Sequence, residues 1–233
     1  MQSRLLRLKR EWILRMLNLS QLESLKSRAL EYCEGRDQRT TEYLEGRGIS
    51  SQTADNKWLG TIINNHPGHE GHQGWLSIPY VTLSGTVAGY KFRRLDDGSP
   101  KYGSPTGQKT HLYNVTDIDK DSDTIVLCEG ELDTIVCSEL LEIPAVGCPG
   151  VASWKPHYVK MLEGYKSILV VGDNDLKDDG SNPGQDFAKR VAGELQNTTI
   201  ILLPAGMDIT DCYLQEGKER TRERLGFQWN SGE

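Results

Sequence analysis

The chain has 233 residues, enough for one large domain or two small ones with a proper core, and no apolar run approaching the length of a membrane span. Its net charge of −6 hides an asymmetry: residues 1–113 hold 16 Lys+Arg against 11 Asp+Glu, and residues 114–233 hold 11 against 22. A basic half joined to an acidic half suits an anionic polymer on one side and metal cations on the other, and equally two ordinary solvated surfaces.

The N-terminal "MQSRLLRLKREWILRMLNL" has a basic start but neither a continuous apolar core nor a small-residue cleavage site, so it reads as an amphipathic helix rather than a signal peptide. Leu5, Leu8, Trp12, Ile13, Met16 and Leu17 recur at helical spacing, and Trp12 among Arg4, Arg7, Lys9, Arg10 and Arg15 is a weak nucleic-acid signal. A second helix follows through "QLESLKSRALEYCEGR", with Ser20 as its cap and Glu23 completing a capping box. A short helix then stops at Gly48, and another is capped by Ser50 or Ser51. From "HPGHEGHQG" to "HLYN" the chain reads as turns and short strands, among them "WLSIPYV" and "TVAGYKFRRL". His66, His69 and His72, spaced by three in a Gly-rich loop, lack the separated pairs or cysteines usual for zinc, so no zinc is expected there. The five cysteines are scattered and never form C-x-x-C, which speaks for a reducing, cytoplasmic setting and against a zinc ribbon or disulfide framework.

After about Lys120 the texture changes to alternating strand and helix. Strands are expected at 124–128 ("TIVLC"), 144–148, 166–172 and 198–204, with helices at 131–141, 156–164, 184–196 and 208–217. Aliphatic strands alternating with helices imply a mostly parallel sheet covered on both faces, whose chemistry sits at the carboxyl ends of the strands. Acids stand at those ends. Glu129 follows the first strand, with Asp133 four residues on. Asp173 and Asp175 follow the third, in "ILVVGDND", and Asp208 and Asp211 lie just past the fourth. Carboxylates so gathered repel one another, by about 1 kcal/mol per pair at 4 Å in water and several-fold more where water is scarce. A divalent cation relieves that repulsion, and oxygen-only ligands favour Mg²⁺ or Mn²⁺. The segment "DNDLKDDGSNPG" is not an EF-hand, because Lys177 and Asp178 hold its fifth and sixth positions and Gly184 its twelfth.

Glu129-Gly130-Glu131-Leu132-Asp133 followed by Asp173-Asn174-Asp175 resembles the topoisomerase–primase (TOPRIM) domain, and "LPAGMDITDCYLQEG" resembles that family's strand with an Asp pair, Asp208 matching better than Asp211. The resemblance implies that Glu129, Asp133, Asp173, Asp175 and Asp208 bind divalent metal and that Glu129 is also a general acid or base. Where the family has a short Asp-Arg-Ala-Gly turn, this chain has a longer one, so Asp178 and Asp179 are expected in a solvated turn. Upstream, "EYLEGRGISSQTADNKWLG" resembles the start of the RNA polymerase core of DnaG-like primases. "LSIPYVTLSGTVAGYKFRRLDDGSPKYGSPTGQKTHLYN" is similar to that core's basic subdomain. There Arg93, Lys101 and, less closely matched, Lys109 would hold nucleoside triphosphates or template phosphates, Arg by its fork and Lys as a point charge.

The expectation is therefore an α/β chain: an N-terminal helical segment (1–40), a smaller α+β basic subdomain (41–119), a TOPRIM domain (120–217) and a charged tail (218–233). The resemblance implies a primase of the kind a phage or mobile element encodes. It would use Mg²⁺ or Mn²⁺ and nucleoside triphosphates on a single-stranded DNA template, in the bacterial host cytoplasm. A Cys/His zinc domain and a Walker A lysine motif are both absent from these residues, so a separate helicase or zinc-domain protein would be the partner. Two readings compete: a TOPRIM nuclease with water as nucleophile, and a non-catalytic template-binding accessory subunit.

Overall fold

The computed structural model describes residues 19–227, so the expected helix around Trp12 lies outside the described residues. The chain divides into two compact units. Among the described residues, one holds 19–46 together with Ser50–Lys109; the other holds Arg47–Ile49 and 110–227.

The first unit opens with helices α1 (Leu19–Glu34), α2 (Gln38–Gly46) and α3 (Ser51–Asn56). Ser20 lies inside α1 and is not its cap. Asp37 accepts from the Thr40 N–H at the start of α2 (2.8 Å), and Ser50 caps α3 by accepting from the Thr53 N–H (3.2 Å). An antiparallel sheet follows, in the order β1 (Gly60–Thr61), β2 (Leu76–Val81), β3 (Val87–Arg93) and β4 (Tyr102–Gly103). The two-residue strands β1 and β4 carry too little pattern to be read from sequence. Alternation along β3 sends Tyr90 and Phe92 to a core shared with Ala29, Tyr32, Ile62, Trp75 and Val87, and Lys91 and Arg93 to the opposite face. The histidines serve this packing. His69 is buried against Tyr90 and Phe92, its Nδ1 2.8 Å from the Tyr32 hydroxyl; His72 packs on Trp75, and His66 pairs with Glu31 (2.7 Å). Burial drives the His69 pKa down to about 4, which keeps the ring neutral.

The second unit is a parallel sheet with strand order β6-β5-β7-β8, formed by β5 (Thr124–Cys128), β6 (Ala145–Gly147), β7 (Ser167–Val171) and β8 (Thr198–Ile201). Between them run α4 (Glu131–Ile135), α5 (Pro156–Leu162) and α6 (Pro183–Glu194), and α7 (Ile209–Arg224) follows β8. The helix expected at 131–141 is not uniform. Val136–Leu140 is a π-helical turn, closed by the Leu141 N–H donating to the Val136 carbonyl at 2.9 Å. The helix expected at 208–217 does break at Gly217 (φ +83°, ψ 175°), where the chain kinks; a second helical stretch, not expected from sequence, runs on to Arg224, and Leu225 is buried with Val171, Leu203 and Cys212. The chain goes from β5 outward to β6 and then crosses to β7 on the other side. The strand order therefore reverses between β5 and β7, where open parallel sheets form their binding crevice.

Candidate active site

Glu129 leaves the end of β5 and Asp173 the end of the adjacent β7, with Cys128 and Val171 in register just before them. The Asp173 N–H donates to Glu129 Oε2 at 3.2 Å, so the first two acids meet across the switch point. This approach needs small residues. A Cβ on Gly184, in the first turn of α6, would lie 2.3 Å from the Asp173 carbonyl oxygen and 2.6 Å from Glu129 Oε2; one on Gly172 would lie 2.0 Å from the Gly184 carbonyl oxygen. Buried Gln185 then donates from Nε2 to the Gly172 carbonyl (3.1 Å), fixing the end of β7.

Asp133, near the start of α4, is half-buried and reaches α7: Thr210 donates to its Oδ1 from both the backbone N–H (3.1 Å) and the hydroxyl (2.8 Å). Asp208 is the N-cap of α7 in a reciprocal box. The Asp211 N–H donates to Asp208 Oδ1 (2.7 Å) and the Asp208 N–H to Asp211 Oδ2 (3.1 Å), while Arg47 Nη1 lies 3.0 Å from Asp208 Oδ2. Asp211 is thus a capping partner. Asn174, between the two acids of "DND", ties their loop to the one bearing Asp208. Its Nδ2 donates to the Leu203 carbonyl (2.7 Å), and its backbone carbonyl accepts from the Gly206 N–H (2.6 Å). Asp175 is exposed and pairs with Lys177. Asp178 and Asp179 are exposed in a turn where Asp179 accepts from the Ser181 N–H (2.9 Å).

Burial pushes the Asp173 pKa up to about 8, reinforced by the charges of Asp133, Glu129, Asp208 and Asp175. Burial, with the Asp208 charge, pushes Asp133 up to about 7 against its two hydrogen bonds from Thr210. The five acids expected from sequence therefore share one electrostatic neighbourhood. Among the described residues no three His, Cys, Asp or Glu side chains already close around a common point. The donors are all oxygens, repel one another and stand at strand ends, which fits a hard divalent cation in chemistry. Geometrically, Asp208 and Asp175 are now committed to Arg47 and Lys177.

Three expected residues fall in the first unit. Lys101 and Lys109 are exposed beside and after β4. Arg93 is buried, its guanidinium 5.1 Å from the Tyr43 ring centre and 5.0 Å from that of Tyr102. Sequence reading missed Arg47, Thr210, Asn174 and Gly184. Arg47 and Asp208 are 161 positions apart, so no local pattern could pair them. Only Asn174, the middle residue of the Asp-x-Asp match, carried a local signal.

This architecture, with acids gathered at the switch point of a parallel sheet and an antiparallel basic unit preceding it in the chain, is the fold of bacterial DnaG primase catalytic cores. The zinc-binding and RNA polymerase domains of the Aquifex aeolicus primase superpose with a TM-score of 0.74 at 20% identity, over 91% of this chain and 62% of that one. By sequence, the chain belongs to the family of the Gene 57 protein of Mycobacterium phage D29, to which it is 39% identical over 158 residues, 66% of this chain and 99% of that protein. A DNA primase from Clostridium acetobutylicum is 29% identical over 151 residues, 61% of this chain but 25% of that protein, so the chain spans about a quarter of that relative's length. No family model matches the chain.

Proposed function

We propose that this protein is a primase catalytic core that synthesises short RNA primers on single-stranded DNA by metal-dependent nucleotidyl transfer. The observation that carries the reading is the convergence of Glu129, Asp133, Asp173, Asp175 and Asp208 on one electrostatic neighbourhood across β5, β7 and the loop after β8. These residues would hold Mg²⁺ or Mn²⁺, which when bound acidifies the attacking 3′-hydroxyl and neutralises triphosphate charge. Glu129 is held against the backbone of Asp173 and would accept or return the hydroxyl proton. Thr210 orients Asp133, and Asn174 keeps the loops bearing Asp173 and Asp208 in step. Lys101 and Lys109 would contact phosphates of nucleoside triphosphate or template, and Arg93, buried between two rings, would position them. The first unit, with its antiparallel sheet, would then serve as the template and nucleotide subdomain and the second, with its parallel sheet, as the TOPRIM catalytic domain.

The test is synthesis from labelled nucleoside triphosphates on single-stranded DNA with Mn²⁺ or Mg²⁺. Short RNA products are expected. Glu129→Gln and Asp173→Asn should abolish them, because transition-state charge stabilisation depends on the ions these carboxylates hold. Lys101→Ala should weaken nucleotide use while leaving Mn²⁺ binding intact. Metal-dependent DNA cleavage with no RNA product, even with a zinc-domain partner supplied, would replace this reading with a nuclease. DNA binding with neither activity would replace it with an accessory subunit.

A further inference from the structure

We propose that the Tyr102 ring is a stacking platform for one unpaired nucleobase, with Lys91 placed to take the phosphate of the same nucleotide. The inference rests on the primase reading and deepens it by naming where the first unit reads a base and not only charge.

Tyr102 lies on the two-residue edge strand β4, directly opposite Arg93 in register, and is 40% exposed, unusually open for a large ring within a sheet. Lys91 and Arg93 are two residues apart on β3 and so share its face of the sheet. Arg93 Nη1 donates to the Tyr102 hydroxyl and its guanidinium lies 5.0 Å from the ring centre, so a buried cation holds the ring in place. The Lys91 ammonium lies 4.5 Å from the same ring centre, on a flexible stem that is partly exposed.

Arg93 supplies the second observation. It is only 6% exposed, no carboxylate among the described residues pairs with it, and its Nε finds no acceptor there. Two tyrosine rings provide its π-face compensation. A buried cation so placed raises the potential around Tyr102 and favours a ligand carrying both an aromatic face and a negative charge. A nucleotide carries both. A base laid on the ring would displace the Lys91 ammonium sideways, toward the phosphate attached to that base. Such stacking accepts any base, because every base has a π-face. The plain alternative is an edge tyrosine whose apolar body is merely covered by two long side chains.

Anisotropy of the full chain with a fluorescent oligothymidylate of about 12 nucleotides tests this. Tyr102→Leu should weaken binding about tenfold, and Tyr102→Phe, which keeps the ring, should stay within about twofold. Lys91→Gln should lower the slope of log affinity against log salt by about 0.7, one phosphate contact on a single strand. An oligomer abasic at every position should bind wild type and Tyr102→Leu equally. Ultraviolet crosslinking of wild type to 5-iododeoxyuridine in the same strand should map to Tyr102, a readout independent of whether the Leu variant folds. Repeating the titration with a labelled nucleoside triphosphate separates the sources: loss of affinity there alone makes the bound nucleotide the incoming one, and loss with the oligomer alone makes it the template. Wild type and Tyr102→Leu binding both probes equally, or a crosslink elsewhere, would overturn the platform while leaving the primase reading standing. No binding of wild type to either probe would overturn both.

Discussion

At Asp173, function and stability pull in opposite directions. Its folded pKa of about 8, and the value of about 7 at Asp133, stand far above the ordinary 3.8 of an aspartate. Between about pH 4 and pH 8 the folded protein therefore binds more protons than the unfolded chain. Raising pH through that window removes stability, by at most about 1.4 kcal/mol per group for each pH unit crossed. In chelator-treated protein the melting temperature should fall from pH 5 to pH 8.5. Asp173→Asn should flatten that slope and raise the melting temperature at pH 8 by several degrees, at about 2–4 °C per kcal/mol for a chain of this size. Added Mn²⁺ should raise the wild-type melting temperature more at pH 8 than at pH 5, because protons then compete less for the same oxygens. A melting temperature independent of pH across this range would show that Asp173 carries no such strain.

Another brace among the elements lies away from these acids. Asp117, in the 3₁₀ turn Val115–Asp119, is buried and accepts from the Ser138 hydroxyl (2.7 Å) and the Ala145 N–H (3.0 Å), with Lys120 at 2.8 Å. One carboxylate thus joins the π-helical turn to the start of β6. Asp117→Ala should cost about 2–3 kcal/mol in urea unfolding, since it strands a buried hydroxyl and a strand N–H. Ser138→Ala should cost about 1 kcal/mol, and the two losses should fall short of additive in a double-mutant cycle. Full additivity would mean that the two side chains do not act together. Nothing in the sequence marks Asp117, which sits in "YNVTDIDK" and looks like loop. The strands β5, β7 and β8 were legible because aliphatic runs ending in acid have few other uses. The π-turn was not, because Leu132, Ile135 and Val136 have the spacing of an ordinary helix and only the closing hydrogen bond differs. The acids were found for a similar reason: the ends of parallel strands are a positional rule, so Glu129, Asp173 and Asp208 could be placed without knowing any contact. Their supports, Thr210 and Gly184, could not, since each acts on a residue remote in the chain.

Over the whole molecule, the basic and acidic halves read from composition do not divide the chain where its contacts do. Arg47–Ile49 belong with the second unit although their neighbours on both sides belong to the first. In that unit Arg47 meets Asp208, and Gly48, at φ +74°, leaves room for Tyr213, whose ring carbon would lie 2.9 Å from a Cβ there. Arg47→Ala should cost about 1 kcal/mol, the scale of a partly exposed ion pair, by urea unfolding. A fragment beginning at Thr110 should unfold at a lower urea midpoint than the Arg47→Ala full chain, because it also loses the packing of Gly48 and of fully buried Ile49. An equal midpoint would show that the three residues contribute nothing beyond the ion pair. The consequence reaches past stability. A gene segment beginning at the codon for Thr110 leaves behind three codons of the second unit, which lie upstream, inside the stretch encoding its neighbour. Exchange between such genes would have to carry both units together or rebuild the missing contact at each new junction.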